Sequence, residues 1–265
     1  MQGWFRRCFD AGKEDTAMTQ SGYREEKRVS FLQIDKNRCM TPAALLSALQ
    51  EMAIDHADSL GYSIDYMLEH HWFWSVVNWH LRIYHMPRYH ERITLQTWSD
   101  KCARFQANRS FTICDETGRH LVDVSSRWMF LDLEKRKPAN VPAEMVENYR
   151  CDLPAAIPDE TFFLPKEPQG EQIAEREILV TRRDTDTNGH ANNVKYLEWV
   201  MDDIPDEIYA EMALRDLRIV YRKECLRGDT VTIKTFLQDT EEGKAVDSFL
   251  YEGGVVMAQV LTIWG

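Results

Sequence analysis

Asp186, Asn188 and His190 stand at alternate positions in the stretch Arg183-Asp-Thr-Asp-Thr-Asn-Gly-His-Ala-Asn-Asn-Val-Lys-Tyr-Leu-Glu-Trp199, with Gly189 among them. An apolar pattern at helical spacing follows at once. Three polar side chains spaced this way can converge beside the first free N–H groups of a helix, where a developing negative charge is stabilised. Histidine, with an unperturbed pKa of about 6.5, suits general-base work on a water molecule. Asn188 does not titrate, so its role is to orient water or a carbonyl by hydrogen bonding. Asp186 is either the base, a nucleophile, or the group that fixes the turn as a helix cap.

Such a turn needs a scaffold, and the chain supplies one twice. From Tyr23 to Ile34 the alternation of charged and apolar residues predicts a strand. Thr41-Pro42 is a helix start, and Leu45, Leu49, Met52 and His56 repeat at helical spacing until Gly61. His56, on that apolar stripe, reads as a buried core histidine. Four strand-like runs follow: Phe73 to Tyr84, residues 92–98, Arg109 to Asp115, and His120 to Leu133. Asp115-Glu-Thr-Gly118 marks a hairpin between the last two.

Prolines at 138, 142, 154, 158, 165 and 168 then punctuate a surface linker, which Phe162-Phe163-Leu164 pins to a core. After it the order returns. Glu177 to Thr181 reads as a strand, and the polar motif leads into a helix with Val194, Leu197, Met201 and Ile204 buried, stopped by Pro205. Leu214 to Cys225, Asp229 to Gln238, Ala245 to Tyr251 and Val255 to Trp264 read as four more strands.

Ile93 to Trp98 matches Val231 to Phe236, so two copies of one strand–helix–meander module are expected, an α+β and not an α/β chain. The expected layout is a polar leader over residues 1–20, a module over 21–138, a linker over 139–175 and a module over 176–265. Met18 is a possible alternative start. Where the second copy has Asp186, Asn188 and His190, the first has Asp35, Asn37 and Cys39, which marks the first copy as inactive.

The bulk numbers exclude several classes. Of the 265 residues 44% are hydrophobic and 28% charged, ordinary values for a folded chain and not for a disordered one. A formal net charge of −11 argues against non-specific nucleic-acid binding and against an anionic membrane surface. An acidic protein partner remains compatible, because Arg182, Arg183, Arg215, Arg218, Arg222, Lys223 and Arg227 cluster in sequence around the motif. The six cysteines form no C-x-x-C pair and read as reduced thiols of a cytoplasmic protein. No stretch is long and apolar enough for membrane insertion, and the N-terminus lacks the apolar core of a signal peptide. No metal is expected, because the histidines lack ligand spacing, and no nucleotide or flavin cofactor either.

The block from Asp184 to Trp199, followed by Tyr221-Arg-Lys-Glu-Cys225, resembles the D-x-N-x-H-x-N-N-x-x-Y-x-x-W block and R-x-E-C strand end of the acyl-acyl carrier protein thioesterases. Trp79, Ile93 to Trp98 and Ser125-Ser-Arg-Trp128 resemble the same family in the first half, so the likeness spans roughly residues 22 to 264. The chain looks like a bacterial relative of the plant enzymes. Gly189 and Ala191 depart from that family's commoner Gln and Val. The resemblance implies two tandem hotdog modules, each a long helix wrapped by an antiparallel sheet. It also implies hydrolysis of the thioester between a fatty acyl chain and acyl carrier protein, which ends chain elongation. By position Asp186, Asn188, His190 and Glu224 match the catalytic network, and Cys225 matches a cysteine once cast as a nucleophile.

Period-2 alternation puts Glu224 and Cys225 on opposite faces of their strand, so without a bulge only one can point into the site. Water attack assisted by His190 and a carboxylate is the first reading, and a Cys225 nucleophile the second. The acyl pocket is expected along the first helix and its aromatic strands, at Leu46, Leu49, Met52, Trp74 and Trp79. Rival functions are an acyl-CoA thioesterase, a hotdog dehydratase or hydratase, and a non-catalytic acyl-binding protein. A monomer or a homodimer is compatible with the duplication.

Overall fold

A computed structural model describes residues 22–158 and 162–265. The expected leader and Met18 lie outside the described residues. In chain order the strands are Tyr23–Arg28 (β1), Trp72–Ile83 (β2), Arg92–Ala103 (β3), Gln106–Asp115 (β4), His120–Asp132 (β5), Lys137–Pro138 (β6), Glu171–Leu179 (β7), Leu214–Tyr221 (β8), Thr230–Thr240 (β9), Gly243–Glu252 (β10) and Val255–Trp264 (β11). The helices are Pro42–Ser59 (α1), Ile64–Glu69 (α2), Ala143–Asn148 (α3), Asn193–Met201 (α4) and Asp206–Glu211 (α5).

One antiparallel sheet carries both halves, in the order β1-β3-β4-β5-β2-β8-β11-β10-β9-β7. The order reads the same from either edge. At the centre β2 pairs β8, with Trp79 opposite Ile219, His80 opposite Arg218 and Leu81 opposite Leu217. The α+β reading holds. The edge strands β1 and β7 are rich in charge, which suits strands with one unpaired side.

The Thr41 hydroxyl accepts the Ala44 N–H at 3.1 Å and Pro42 opens α1, as the sequence requires. Leu45, Leu46, Leu49, Met52 and His56 are buried along its inner stripe. The four apolar ones join Trp79, Leu81, Leu95, Phe111, Leu217, Ile219, Ile233 and Val260 in one core cluster that spans both halves, and α1 packs on α4 inside it. Since Trp79 and Leu81 face this core, His80 between them projects from the opposite face of the sheet. There its Nε2 lies 2.9 Å from Asp216, whose other oxygen accepts from Arg218.

Several boundaries differ from the sequence reading. The first strand stops at Arg28, and a 3-10 turn over Phe31–Gln33 replaces its expected end. β7 starts at Glu171, inside the expected linker, because it borders β9 as an edge strand and needs only alternate residues covered. The linker also holds α3, whose Met145 and Tyr149 pack with Tyr62, Met67 and Phe130 as a second cluster. Phe163 is largely exposed, but the half-buried Phe162 ring lies 6.1 Å from buried His80, and Ile157, Met145 and Tyr149 anchor the rest of the segment. α4 ends at Met201, before Pro205, and Pro205 opens α5. Among the described residues no helix is long and apolar enough to cross a membrane.

Candidate active site

The second-half turn is held by its own backbone amides. Asp186 Oδ1 accepts the N–H of Asn188 at 2.8 Å and of His190 at 3.2 Å, and the Asp186 N–H donates to the His190 carbonyl. Gly189 sits at φ +80°, a left-handed conformation that glycine adopts at little cost, with open space around it. Asn192, and not Asp186, caps the helix, accepting the Val194 N–H at 2.9 Å. Of the three roles open to Asp186 in the sequence, the turn-fixing one is therefore realised by one oxygen. Among the described residues the other oxygen has no protein partner.

This geometry narrows the expected oxyanion site at the helix start. α4 begins at Asn193, three residues after His190. The N–H groups of Asn188, Gly189, His190, Ala191 and Asn192 all bond protein acceptors, as does that of Val194, so among the described residues the Asn193 N–H is the one left open there. The Asn188 side chain, in contrast, is exposed, and among the described residues its carboxamide has no partner. It is a side-chain donor still available to a carbonyl oxygen.

Glu224 arrives from the segment after β8. That strand ends at Tyr221, short of the expected Cys225, because the Arg222 and Lys223 N–H groups both bond the Met257 carbonyl. The chain then turns alongside the motif: Ala191 N–H donates to the Cys225 carbonyl at 2.8 Å, and His190 bridges Leu226. The Glu224 carboxylate reaches His190 Nδ1 at 3.3 Å, with side-chain exposures of 56% and 31%. A carboxylate on Nδ1 orients the ring and leaves Nε2 free to take a proton from water. So exposed a pair contributes little to stability, and its value is positional.

Cys225 points into the core, although the strand alternation expected to separate it from Glu224 ends at Tyr221. It is fully buried, and burial pushes its thiol above the ordinary range, away from the thiolate a nucleophile needs. Its N–H donates to Tyr196 Oη at 3.1 Å, while Tyr221 Oη donates to the Asn193 carbonyl at 2.9 Å. Tyr196 thus clamps the segment that presents Glu224. Sequence reasoning gave it no such role, because the contact spans 29 residues and leaves no local spacing signal.

The first-half turn repeats the construction. Asp35 Oδ1 accepts the N–H of Asn37 at 2.8 Å and of Cys39 at 3.2 Å, and Arg38 occupies the Gly189 position at φ +58°. Met40 N–H donates to the Pro87 carbonyl as Ala191 does to Cys225, which sets Met86 where the second half has Glu224. Here the second Asp35 oxygen accepts from Tyr209 Oη at 2.8 Å.

The five expected pocket residues do not line one slot. Leu46, Leu49, Met52 and Trp79 are closed inside the main core, while Trp74 packs on Phe130 in the second cluster. Two cavities, of about 350 and 250 Å³, lie elsewhere, the first beside Arg28 and Asp115 and the second beside Cys102 and Tyr149.

Fold and site together define a duplicated α+β chain whose second turn, and not its first, carries a histidine–carboxylate pair. The acyl-ACP thioesterase N-terminal domain matches residues 20–149, and the acyl-ACP thioesterase C-terminal domain matches residues 167–265. The chain belongs to the acyl-ACP thioesterase family. It is 28% identical to oleoyl-acyl carrier protein thioesterase 1, chloroplastic, of Arabidopsis thaliana over 81% of this chain and 64% of that protein. It is 27% identical to the palmitoyl-acyl carrier protein thioesterase, chloroplastic, of Cuphea hookeriana over 83% of this chain and 56% of that protein. The chain thus spans less than two thirds of the length of these curated relatives. Among solved structures, an acyl-ACP thioesterase from Bacteroides thetaiotaomicron matches with TM-score 0.79 and 23% identity, over 92% of this chain and 97% of that one. The 12:0-ACP thioesterase from Umbellularia californica matches with TM-score 0.82 and 22% identity, over 92% and 96%.

Proposed function

We propose that the chain hydrolyses fatty acyl-acyl carrier protein thioesters, releasing free fatty acid and ending elongation. The carrying observation is the His190 Nδ1–Glu224 carboxylate pair, present at one copy of a duplicated turn and absent from the other. His190 Nε2 takes a proton from water as the water attacks the thioester carbonyl, and Glu224 stabilises the imidazolium. Asn188 donates to the carbonyl oxygen as charge develops there, and the free oxygen of Asp186 orients the water. The imidazolium then returns its proton to the departing thiol. Cys225 stays in the core as a packed residue.

The similarity to oleoyl- and palmitoyl-acyl carrier protein thioesterases supports the carrier-linked substrate. Exposed Arg182, Arg183, Arg222, Lys223 and Arg227 near the turn suit an acidic carrier protein. We further propose two tandem hotdog modules in a cytoplasmic protein, with residues 21–138 accommodating the acyl chain and 176–265 performing the chemistry. Because Leu46, Leu49, Met52 and Trp79 are closed in the core, the acyl chain enters by parting α1 from the sheet.

The test offers one acyl group on acyl carrier protein and on coenzyme A, with released thiol and free fatty acid both measured. Faster turnover on the carrier protein is expected. Preference for coenzyme A would replace the carrier reading, and acyl loss without free thiol would replace hydrolysis. Cys225→Ala is expected to keep turnover within about threefold, since burial makes it structural; an inactive, folded Cys225→Ala would sink the water mechanism.

A further inference from the structure

The two turns differ most at their tips. In the first half Ser30 N–H donates to Gln33 Oε1 at 2.9 Å and Gln33 N–H returns to the Ser30 carbonyl. In the second half Thr181 N–H donates to Asp184 Oδ2 at 2.8 Å and Asp184 N–H returns to Thr181. Between these closures stand Phe31 and Leu32 in one copy and Arg182 and Arg183 in the other. The bridges Cys39–Arg88 and His190–Leu226 likewise set Tyr89 against Arg227. The same backbone therefore forms with three arginines, so folding does not require apolar side chains at the first tip.

Those apolar side chains are nonetheless presented to solvent. Leu32 is 92% exposed and Phe31 71%, and the Phe31 ring meets the edge of Tyr89 at 6.2 Å. Arg38 bonds the Tyr89 backbone and Arg88 precedes Tyr89, and Lys36 lies in the same turn as Arg38; all three are exposed, and none is in an ion pair among the described residues. The nearby acids are engaged: Glu91 accepts the Arg88 N–H, and Asp35 holds the turn amides and Tyr209. Arg28 and Arg92 stand further back, across a cavity shared with Asp115 and Glu116.

We propose that this tip is a peripheral docking surface for an anionic phospholipid bilayer. Phe31, Leu32 and Tyr89 enter the headgroup boundary while Lys36, Arg38 and Arg88 meet lipid phosphates. The tip is a projecting turn and not a groove, which suits insertion between headgroups better than a fit against a folded partner. The chain-wide charge of −11 concealed it, because a Debye length of about 8 Å makes the local cations decisive at a surface. The contact does not depend on the thioesterase reading.

Sedimentation of the full chain with phosphatidylcholine vesicles, with and without phosphatidylglycerol, tests this. Binding only to the anionic vesicles is expected. Phe31→Ser with Leu32→Ser weakens it by about tenfold or more, and Arg38→Ala with Arg88→Ala by roughly fivefold per charge. Phe31→Arg with Leu32→Arg copies the other tip, so it folds, and its residual binding should become more steeply salt-dependent as charge replaces the apolar contact. Turnover of a soluble thioester stays unchanged in all three. A wild-type chain that stays in the supernatant overturns the proposal, as does serine-variant binding equal to wild type. So does a change in oligomeric state on Phe31→Ser with Leu32→Ser, which would make the tip a contact between copies.

Discussion

The two turns share a backbone and differ in what they carry. Each aspartate clamps two amides at matching distances, each turn ends in a capped helix, and each is laid against the segment leaving a central strand. Only one copy adds a histidine and a facing carboxylate. Clamp and chemistry are separable: the first copy keeps the former with Cys39 and Met86 in place of the latter. The aspartates then part company at their second oxygens, one taken by Tyr209 and the other without a protein partner among the described residues.

Copying the first turn onto the second breaks the comparison most severely. His190→Cys should lower kcat on an acyl thioester by about 10²–10⁴-fold while leaving the melting temperature nearly unchanged. Asp186→Asn keeps an acceptor for both amides but loses the free carboxylate oxygen, and is expected to lose about 10²-fold or more. Asp35→Asn should leave turnover as it was, and equal losses in the two would mean that both aspartates act only through the fold. Glu224→Met is expected to cost about tenfold to a hundredfold in kcat with KM nearly unchanged. An unaltered kcat would remove Glu224 from the site.

The smallest effect contrasts the other histidine of the pair of helical segments. His56 is buried on α1, and burial, with Arg109 donating to its Nδ1 at 2.8 Å, lowers its pKa to about 3. Unfolded, it would protonate near 6.5, so between those values the unfolded chain binds the extra proton and stability falls as pH drops. At pH 5 the loss is about 2 kcal/mol. His56→Gln should remove that increment from the difference between denaturant midpoints at pH 8 and pH 5. Undiminished acid sensitivity would show that His56 is not buried neutral.

What the sequence disclosed follows from where the forces act. Thr41-Pro42 and the stripe from Leu45 to His56 set α1 within a residue or two, because capping and burial are local. The paired hairpins and the α+β order were legible for the same reason. The six-residue helices α2 and α5 were not, since one and a half turns carry too little periodicity. The start of β7 was hidden by its charge, which an edge strand tolerates. At the site, residue types pointed to His190 and Glu224, but their 3.3 Å approach depends on a segment folded back by Met257 and Tyr196. That the turn amides are already occupied was beyond reach, because one aspartate spacing serves capping and chemistry alike.

The seam between β2 and β8 has a consequence for biosynthesis. β2 finds its central partner only when about 140 further residues have been made, since Asn78 pairs with Val220. At about 5–20 residues per second that interval is roughly 7–28 s. Throughout it one side of a twelve-residue strand, with Trp79 and Leu81 on its face, lacks its ladder. The duplicated chain thus exchanges an encounter between two subunits for a wait within one, and the hazard during that wait is pairing with the β2 of a neighbouring nascent chain.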